Sequence, residues 1–484
     1  MRTLLLGGAL SAALAVGVAA LPSGGTATAD VLPSASVTST PVGLVHADGT
    51  TLRTADGKPF RFLGFQAGLG ASPAHPRCSA YADDEVRSTM DEAVADKATV
   101  LRVWMFQEYG GPQDWTRYDL LVREARARGL RILATLTNNW GDCEAEKVVG
   151  TPLRKTLGWY QSGYRVAGDG NPLPYRDYVA AMAAHFRNEP AILGWQLVNE
   201  ADTSTADGSC DESSGRQALR AFADDMVGVV RATGDSHLVS LGLMGSGQCG
   251  ASGSDGYRFV EGGKLDLCDY HDYSPLAALP GDAWNGLAVR VSDCAALGKP
   301  IMIDEEGISR GVQADGSDGP VTAATVARRA DLFDAKLTAQ LAAGISGVIL
   351  WQKTNNLADP FRVPTDDPVN AVVAAHAALL PVTRSDAMSS GAVVPTVLAS
   401  QRSGLHGPAY RTDVVLAGAA QAVRLSVSVP NPTLVAVRSA TGRVLWQTRL
   451  TGARTLTLRL PAAAHDVILD AARPTAYVLR AVTV

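Results

Sequence analysis

Two glutamates follow short apolar runs of the sequence and could work as a pair. Glu200 comes two residues after the run Ile192–Val198, and Glu305 directly follows the run Pro300–Asp304. Cleavage of a glycosidic bond requires one carboxyl group that protonates the leaving oxygen and a second that attacks the sugar carbon or activates water. A single carboxylate at a strand end can equally be a helix cap or part of a loop ion pair. The pairing therefore depends on the elements that position both residues.

Short β-branched runs alternate with helix-like segments from about residue 60 to residue 380. Eight such units predict an α/β fold with a parallel sheet closed into a (β/α)8 barrel, a TIM barrel. An open doubly wound sheet is the alternative, and it is disfavoured because no glycine-rich phosphate loop follows an early strand. The predicted strands are Phe60–Phe65, Val100–Met105, Arg131–Leu136, Ile192–Val198, Leu238–Leu243, Leu267–His271, Pro300–Asp304 and Gly347–Trp351. The predicted helices include Tyr118–Arg128, Tyr175–Phe186, Gln217–Ala232, Ala324–Ala343 and Asp367–Leu380.

The spacing of the two glutamates fits this barrel. Glu200 and Glu305 lie 105 residues apart, which corresponds to three βα units of about 35 residues each. Active sites of such barrels gather at the C-terminal ends of the strands, and strands four and seven face each other obliquely across that mouth. We expect the two carboxylates to stand about 5 Å apart, the separation of retaining glycosidases.

Other polar and aromatic residues follow the remaining predicted strands. Arg102 lies within the second strand, where a charge needs a partner; the nucleophilic carboxylate is one candidate and a structural ion pair is the alternative. At the end of the sixth strand, Tyr273 could hydrogen-bond the nucleophile. His271 could contact sugar hydroxyls or be a satisfied structural histidine. Trp351 at the end of the eighth strand could stack on a sugar ring or belong to the core.

The motifs around both glutamates resemble those of glycoside hydrolase clan GH-A, family 5, the cellulase and mannanase family. Gly194–Glu200 (GWQLVNE) is similar to the strand-four acid/base motif, and Lys299–Gly307 (KPIMIDEEG) is similar to the strand-seven nucleophile motif. The resemblance implies that Glu200 is the acid/base and Glu305 the nucleophile, although Glu306 stands where an aromatic residue is common. The family's remaining active-site positions fall on Arg102, Asn199, His271, Tyr273 and Trp351.

A further stretch narrows the implied substrate. Leu136–Trp140 (LTNNW) resembles the strand-three motif of endo-β-1,4-mannanases, in which Asn138 would line the sugar sites. The resemblance implies a retaining endo-β-1,4-mannanase that needs neither a metal nor a cofactor. An exo-β-mannosidase and a β-1,4-glucanase remain alternatives, because the loops at Asn139–Gly170 and Thr203–Ser214 could either wall a cleft or close one end. A non-catalytic carbohydrate-binding barrel is the alternative from another class, and the presence of both glutamates argues against it.

The N-terminal residues 1–29 indicate a secretory signal peptide. Arg2 precedes the mostly apolar run Leu4–Leu21, and Ala27-Thr28-Ala29 forms a cleavage site. An uncleaved membrane anchor is the alternative. We expect a secreted protein with no membrane contact after signal cleavage, and the even number of cysteines suits an oxidising compartment. Their pairing stays open, Cys143 and Cys210 are predicted to lie in loops, and the absence of a C-x-x-C pair argues against a zinc site.

The charge pattern restricts the partners. The formal net charge is only −5, with both signs interspersed along the chain. Nucleic-acid binders carry a basic stripe, which this sequence lacks. A neutral β-linked polysaccharide or oligosaccharide is compatible with the sequence, and a polyanionic one is not favoured. We expect a monomer.

The C-terminal part has a different hydrophobic period. Val423, Leu425 and Val427 alternate with polar residues, and Thr441-Gly442 is a predicted hairpin turn. This pattern predicts a small all-β domain, a β-sandwich, at residues 413–484, joined by a linker at 383–412 to a catalytic barrel at 30–382. The domain could bind sugar or cap the barrel structurally, and the latter is favoured because few aromatic residues could form a stacking platform (Tyr410, Trp446 and Tyr477).

Overall fold

The computed structural model describes residues 43–67, 82–141, 154–167, 171–205, 207–354, 356–381, 397–399, 410–439, 444–471 and 477–483. The predicted signal peptide therefore lies outside the described residues. So do Cys78, Cys143, the predicted turn Thr441-Gly442 and part of the loop Asn139–Gly170.

The described chain opens with a small antiparallel sheet and continues with alternating strands and helices. The small sheet consists of β1 (His46–Asp48), β2 (Thr51–Arg53) and β3 (Pro59–Phe60). Eight parallel strands follow, each overlapping its predicted run: β4 (Phe62–Ala67), β5 (Val100–Trp104), β6 (Arg131–Thr135), β7 (Ile192–Gln196), β8 (Leu238–Ser240), β9 (Cys268–Asp272), β10 (Ile301–Glu306) and β11 (Gly347–Lys353). The helices are α1 (Asp83–Ala95), α2 (Thr116–Ala127), α3 (Leu157–Gln161), α4 (Tyr175–His185), α5 (Glu212–Ala232), α6 (Gly253–Glu261), α7 (Leu287–Ala296), α8 (Ala323–Ala342) and α9 (Val369–Ala377).

The parallel sheet closes on itself. Its order is β8-β7-β6-β5-β4-β11-β10-β9, so the first strand of the barrel pairs with the last. At the seam between β8 and β9, the backbone N–H of Asp266 donates to the carbonyl of Val239, and that of His271 donates to the carbonyl of Met244, each at 2.9 Å. The fold is a TIM barrel, and the open-sheet alternative is wrong.

Apolar side chains fill the N-terminal end of the barrel. Leu52 and Phe60 of the small sheet pack with one buried apolar residue from or beside each of the eight strands. These residues are Phe62, Val100, Leu133, Leu193, Leu238, Leu267, Met302 and Ile349. Burying a side chain of this size contributes about 1.5–3 kcal/mol. The small sheet thus covers the apolar floor, and the polar strand ends at the opposite mouth are left for a site.

Two disulfide bonds lie within the described residues. Cys210–Cys249 joins the loop after β7 to the loop after β8, with a Cα–Cα distance of 5.7 Å. Cys268–Cys294 joins the start of β9 to α7, at 6.5 Å. The first bridge confirms that Cys210 lies in a loop, and it ties together two loops of the barrel mouth.

The C-terminal residues are all β. Strands β12 (Val397–Ala399), β13 (Tyr410–Arg438), β14 (Val444–Ala471) and β15 (Tyr477–Thr483) form one antiparallel sheet in the order β12-β15-β13-β14. Residues 433–438 pair with both 444–450 and 466–471, so the long strands fold back on each other. Val423, Leu425 and Val427 are buried, as their alternation predicts.

The predicted linker differs from the structure at two places. β12 lies inside residues 383–412, and β13 begins within that stretch at Tyr410. Val397 pairs with Leu479, and Tyr410 pairs with Ala471. Residues 397–399 and 410–412 are strands because they pair with strands distant in sequence. The small and polar composition of the predicted linker has only a weak local preference for or against strand structure.

Among the helices of the described residues, none combines sufficient length and apolar character to span a membrane.

Candidate active site

Glu305 lies in β10 at the barrel mouth and is held by two donors. Arg102 donates from Nη1 to Oε1 at 2.5 Å, and the Tyr273 hydroxyl donates to Oε2 at 2.7 Å. Glu305 itself is 3% exposed, and Arg102 is fully buried. The structure thus brings Arg102 and Tyr273 to the predicted carboxylate.

Arg102 has acceptors for each of its guanidinium nitrogens. Nε donates to Gln196 at 2.8 Å, Nη1 also donates to Gln66 at 3.1 Å, and Nη2 donates to Asn199 at 2.6 Å. The guanidinium also lies over the Trp104 ring, 4.6 Å from its centroid. A buried charge is tolerated when it is paired and its donors are satisfied, which is the case here. The guanidinium plane is therefore fixed, and it fixes the Glu305 carboxylate in turn.

Glu200 follows β7 and faces Glu305 across the mouth. Its backbone φ is +55°, in the left-handed region that residues other than glycine seldom adopt. Backbone bonds hold the neighbouring residues on both sides: Asn199 N–H donates to Thr137 at 2.7 Å, and Ala201 N–H donates to Gly242 at 3.1 Å. One carboxylate oxygen of Glu200 lies within 4.8 Å of one carboxylate oxygen of Glu305.

His271, at the end of β9, lies between three carboxylates. Its Nδ1 is 2.9 Å from Glu200 Oε1 and 3.4 Å from Glu305 Oε2, and its Nε2 is 2.9 Å from Asp304 Oδ2. Sequence reasoning left open whether this histidine contacts sugar hydroxyls or has a structural role. In the structure both ring nitrogens face carboxylate oxygens, so the ring is an electrostatic part of the candidate site.

In the free protein, the pKa shifts of Glu200 and Glu305 run opposite to those that an acid and a nucleophile would need. Burial raises the pKa of Glu305 above its ordinary value, although the charges of His271 and Arg102 oppose the change. Burial also acts on Glu200, but the hydrogen bond and charge of His271 outweigh it and lower the pKa of Glu200. For His271 itself, burial opposes the charged form, yet the charges of Glu305 and Asp304 raise its pKa well above the ordinary value. These directions favour a proton on His271 rather than on Glu200 in the free protein.

Two asparagines connect strands β6 and β7 at the mouth. Asn138 and Asn199 form an isolated parallel bridge, and Asn199 donates from Nδ2 to the side-chain oxygen of Asn138 at 3.1 Å. Both are buried, and Asn199 also accepts from Arg102. The predicted Asn138 therefore belongs to the same hydrogen-bond network as Arg102.

Two predicted aromatic residues lie at strand ends, Trp351 in β11 and Tyr273 directly after β9. Trp351 is half-buried near the end of β11, and its ring centroid lies 6.0 Å from that of Trp104. Its peptide bond to Gln352 is cis. Tyr273 is 39% exposed, and a Cβ atom at Gly307 would lie 2.2 Å from its ring. Glycine at 307 thus allows the Tyr273 ring to reach Glu305.

Four residues of the site were not predicted from the sequence. Trp140 donates its indole N–H to Glu200, and Gln66 and Gln196 bind Arg102. Asp304 accepts from His271 and from Gln196. Gln196 and Asp304 stand inside the motifs quoted for the two glutamates, and a charged or amide side chain at a barrel-facing strand position was the signal that could have found them.

A cavity of about 300 Å³ borders Glu200. Its walls include His271 and Tyr273 and, from the loop after β9, Asp282 and Asn285. The cavity thus lies beside one of the two glutamates at the mouth.

Folding brings together possible metal ligands that lie far apart in the sequence. Within the described residues, Glu200, His271 and Glu305 each offer an atom within 4.8 Å of the others, as do Cys210, Glu212 and Cys249. The two cysteines form a disulfide bond, so their sulfur atoms are not thiolate ligands. The Arg102 guanidinium on Glu305 opposes a cation at the first group. Activity without a metal remains a prediction.

Glu306, the neighbour of Glu305, faces away from the mouth. Its Oε1 accepts from Gln340 at 3.0 Å and lies 3.4 Å from Lys336 Nζ, both on α8. Lys336 also contacts Asp272 at 2.5 Å. The two adjacent glutamates are thus in separate environments.

Comparisons with known proteins agree with this geometry. A family model described as cellulase (glycosyl hydrolase family 5) matches residues 54–325, more than half of the chain. The mannan endo-1,4-beta-mannosidase A of Podospora anserina is 24% identical over 257 residues, which span 46% of this chain and 65% of that protein, just under two thirds. The protein of that name from Aspergillus aculeatus is 24% identical over 306 residues, which span 56% of this chain and 73% of that protein.

A solved structure gives the same fold. The endo-1,4-beta-mannanase from Rhizomucor miehei superimposes with a TM-score of 0.52 at 16% sequence identity, covering 69% of this chain and 98% of that one. The barrel, the motifs at the strand ends and the extent of the family match lead to one conclusion: this chain is a glycoside hydrolase and belongs to glycosyl hydrolase family 5.

Proposed function

We propose that this chain is a secreted, retaining endo-β-1,4-mannanase in which Glu200 is the acid/base and Glu305 is the nucleophile. The separation of the two carboxylates carries the proposal. One oxygen of each lies within 4.8 Å of the other. Retaining enzymes hold their carboxyl groups about 5–5.5 Å apart, whereas inverting enzymes leave about 6.5–9.5 Å for a water molecule.

In the first step, Glu305 attacks the anomeric carbon while Glu200 gives its proton to the glycosidic oxygen. The carbon–oxygen bond of the glycoside breaks, and an ester bond forms between the sugar and Glu305. In the second step, water attacks the same carbon, Glu200 takes the proton of that water, and the ester oxygen leaves with Glu305 as a carboxylate. Each step inverts the configuration at the anomeric carbon, so the β configuration is kept after both.

Glu305 is favoured over Glu306 as the nucleophile because of their contacts. Arg102 and Tyr273 hold Glu305 at the mouth. Glu306 is fully buried against Lys336 and Gln340. An attacking carboxylate has to reach the sugar, and only a side chain at the mouth can do so.

A bound sugar would favour a protonated Glu200 beside an ionised Glu305, as the mechanism requires. The Glu200 side chain is 19% exposed, and a sugar that displaces water from it raises the pKa of its carboxyl. Arg102 and Tyr273 keep the neighbouring Glu305 ionised through charge and hydrogen bonding. Once Glu305 is esterified its charge is gone, the pKa of Glu200 falls, and Glu200 can act as a base.

The substrate proposal rests on the named relatives, one motif and the composition of the site. The curated relatives described above are named for mannan hydrolysis, and the Asn138 motif resembles that of mannanases. In the site, Arg102 and His271 offset the charges of the carboxylates, and amide and aromatic side chains lie beside them, which suits an uncharged sugar chain. An exo-β-mannosidase and a β-1,4-glucanase are the rival specificities.

The test is a product profile on defined β-1,4-manno- and gluco-oligosaccharides, with proton NMR of the first product. The proposal expects internal cleavage of mannan and a β-anomer that later mutarotates. Release of single mannose units from one chain end would favour the exo rival, and preference for glucan would favour the glucanase. An α-anomer as the first product would contradict retention, and binding without turnover would indicate a non-catalytic barrel.

We also propose that residues 1–29 are a cleaved signal peptide and that the protein acts outside the cell as a monomer. The two described disulfide bonds support an oxidising compartment. For the domains, we propose a catalytic barrel within 30–382, a connection through 383–412 and a C-terminal domain at 413–484 whose sheet extends back to Tyr410.

A further inference from the structure

Asp304 is a fully buried carboxylate beside the proposed nucleophile, without a role so far. Its Oδ2 accepts from His271 Nε2 at 2.9 Å and from the Gln196 amide, and it lies 3.9 Å from Arg102 Nε. Its Oδ1 is buried and has no hydrogen-bond partner among the described residues. A buried carboxylate is costly unless a positive charge is close. Of the two cationic side chains near Asp304, His271 is closer than Arg102.

The position of His271 limits where its protons can be. Nε2 faces Asp304, and Nδ1 faces Glu200 at 2.9 Å. A neutral imidazole has one N–H, so a neutral ring bound to both carboxylates requires that one of them carry the second proton. We assign that proton to Glu200, whose side chain is 19% exposed, because Asp304 is fully buried and lies 3.9 Å from the Arg102 cation. A charged ring donates to both. In either arrangement Nε2–H points at Asp304, and a single proton is shared between Nδ1 and Glu200.

We infer that Asp304 is a positioning residue for the acid: it fixes the Nε2–H tautomer of His271, so that Nδ1 keeps the transferable proton beside Glu200. The inference rests on the acid/base role proposed for Glu200. The proton moves from Nδ1 to Glu200 Oε1 and then to the leaving glycosidic oxygen. In the second step, the proton of the attacking water returns to Glu200 and can be shared with Nδ1 again.

The other charged and titratable groups around His271 fit this arrangement. Glu305 on β10 lies 3.4 Å from Nδ1 and is occupied by Arg102 and Tyr273. Asp269, on the same strand as His271, is within 3.5 Å of the Gln196 amide that also binds Asp304. Burial and the Asp304 charge raise the pKa of Asp269 to about 7. Asp304 remains the carboxylate in direct contact with Nε2.

The pKa directions support the same assignment. Burial opposes ionisation of Asp304, but the charge and hydrogen bond of His271 outweigh it and lower the pKa of Asp304. The charge of Asp304 in turn helps to raise the pKa of His271. Removing the Asp304 charge should therefore let the shared proton leave at lower pH.

The test is Asp304→Asn, whose carboxamide keeps the shape but not the charge. The full protein is labelled at its histidine ring nitrogens, and long-range proton–nitrogen NMR spectra are recorded between pH 5 and pH 8. The His271 signals are identified by their absence in His271→Asn. In the wild type we expect Nε2 to carry a proton throughout. In Asp304→Asn we expect the His271 ring to lose a proton within this pH range. The pH at which kcat/KM declines on the basic side of its pH profile (the basic limb) should fall by about one pKa unit or more.

A kinetic split separates this role from a merely structural one. The loss on oligosaccharides, which need protonation, should exceed the loss on aryl glycosides with good leaving groups by about tenfold or more. Glu306→Gln is the matched control, because Glu306 is an equally buried carboxyl two positions along β10 that faces Lys336. It should leave the His271 signals and the basic limb unchanged.

Unchanged His271 signals and an unchanged basic limb in Asp304→Asn would overturn the inference. Should this variant fail to fold, the wild-type spectra still decide, since a His271 without a proton on Nε2 is incompatible with it. The histidine measurement needs no substrate. A failure of the proposed mannanase activity is therefore distinguishable from a failure of this inference.

Discussion

Arg102 and Glu305 meet inside the barrel mouth at 2.5 Å between Nη1 and Oε1, with both side chains almost entirely removed from water. Replacing such a buried pair by well-packed apolar residues is often neutral or even stabilising, so its presence indicates a use beyond stability. It holds a carboxylate in one orientation at the point where a sugar ring would enter.

The first prediction concerns Glu200. We expect Glu200→Ala to lose most activity on oligosaccharides but to keep much more on aryl glycosides with good leaving groups, because such groups depart without a proton. Initial rates on both substrate classes provide the measurement. Glu305→Gln is the control and should lose both activities equally. Equal losses in Glu200→Ala would show that Glu200 is not the acid.

The second prediction concerns the approach of Tyr273 to Glu305. In Gly307→Ala the new methyl group would lie 2.2 Å from the Tyr273 ring, so the ring has to move and its hydrogen bond to Glu305 is lost. A hydrogen bond to a charged group is worth about 1.5–3 kcal/mol, so kcat/KM should fall about ten- to hundredfold.

The control for this variant is Gly228→Ala in α5, where a Cβ atom meets nothing within 4 Å. It should leave kcat/KM unchanged and stabilise the helix slightly. Wild-type activity in Gly307→Ala would mean that the Tyr273 hydroxyl contributes nothing to the reaction.

The residues of the site differ in whether their contacts could be predicted from the sequence. Glu200, Glu305, Arg102 and Tyr273 were predicted to meet because parallel strands end at one mouth and each residue ends or lies within a strand. Trp140 was not, since its contact with Glu200 depends on the path of a loop. The strand residues within the predicted linker could not be predicted for a similar reason, since their pairing partners lie far away in the chain.

The pKa directions also lay beyond the sequence. They depend on His271 standing within hydrogen-bond distance of Glu200 and Asp304 at once, and a distance of this kind follows only from the folded barrel. Sequence reasoning assigned the two glutamates their roles but placed no proton on His271.

The third prediction concerns pH and the stability of the fold. Burial and the charge of Asp272 raise the pKa of Glu306 to about 7, although Lys336 opposes the change. The folded state thus holds a proton that the unfolded chain loses near its ordinary pKa of about 4.3. Stability from this group is complete below that value and is lost as pH rises towards 7, by up to about 3 kcal/mol.

Glu306→Gln should remove this loss. Its free energy of unfolding, measured with urea between pH 4 and pH 8, should rise relative to the wild type as pH increases. Asp84→Asn, an exposed change on α1, is the surface control. A constant difference between Glu306→Gln and the wild type across this range would contradict the assignment of a buried proton to Glu306.

The central claim is that Glu305 forms a covalent bond to the sugar, and trapping that bond tests it most directly. A 2-deoxy-2-fluoro glycoside with a good leaving group slows both steps but leaves the first one possible, so the glycosyl-enzyme accumulates. Mass spectrometry of the digested protein should find the sugar on Glu305, and Glu305→Gln should remain unlabelled while still binding substrate. A label on Glu306, or hydrolysis of substrate by an enzyme that never forms the adduct, would contradict the account.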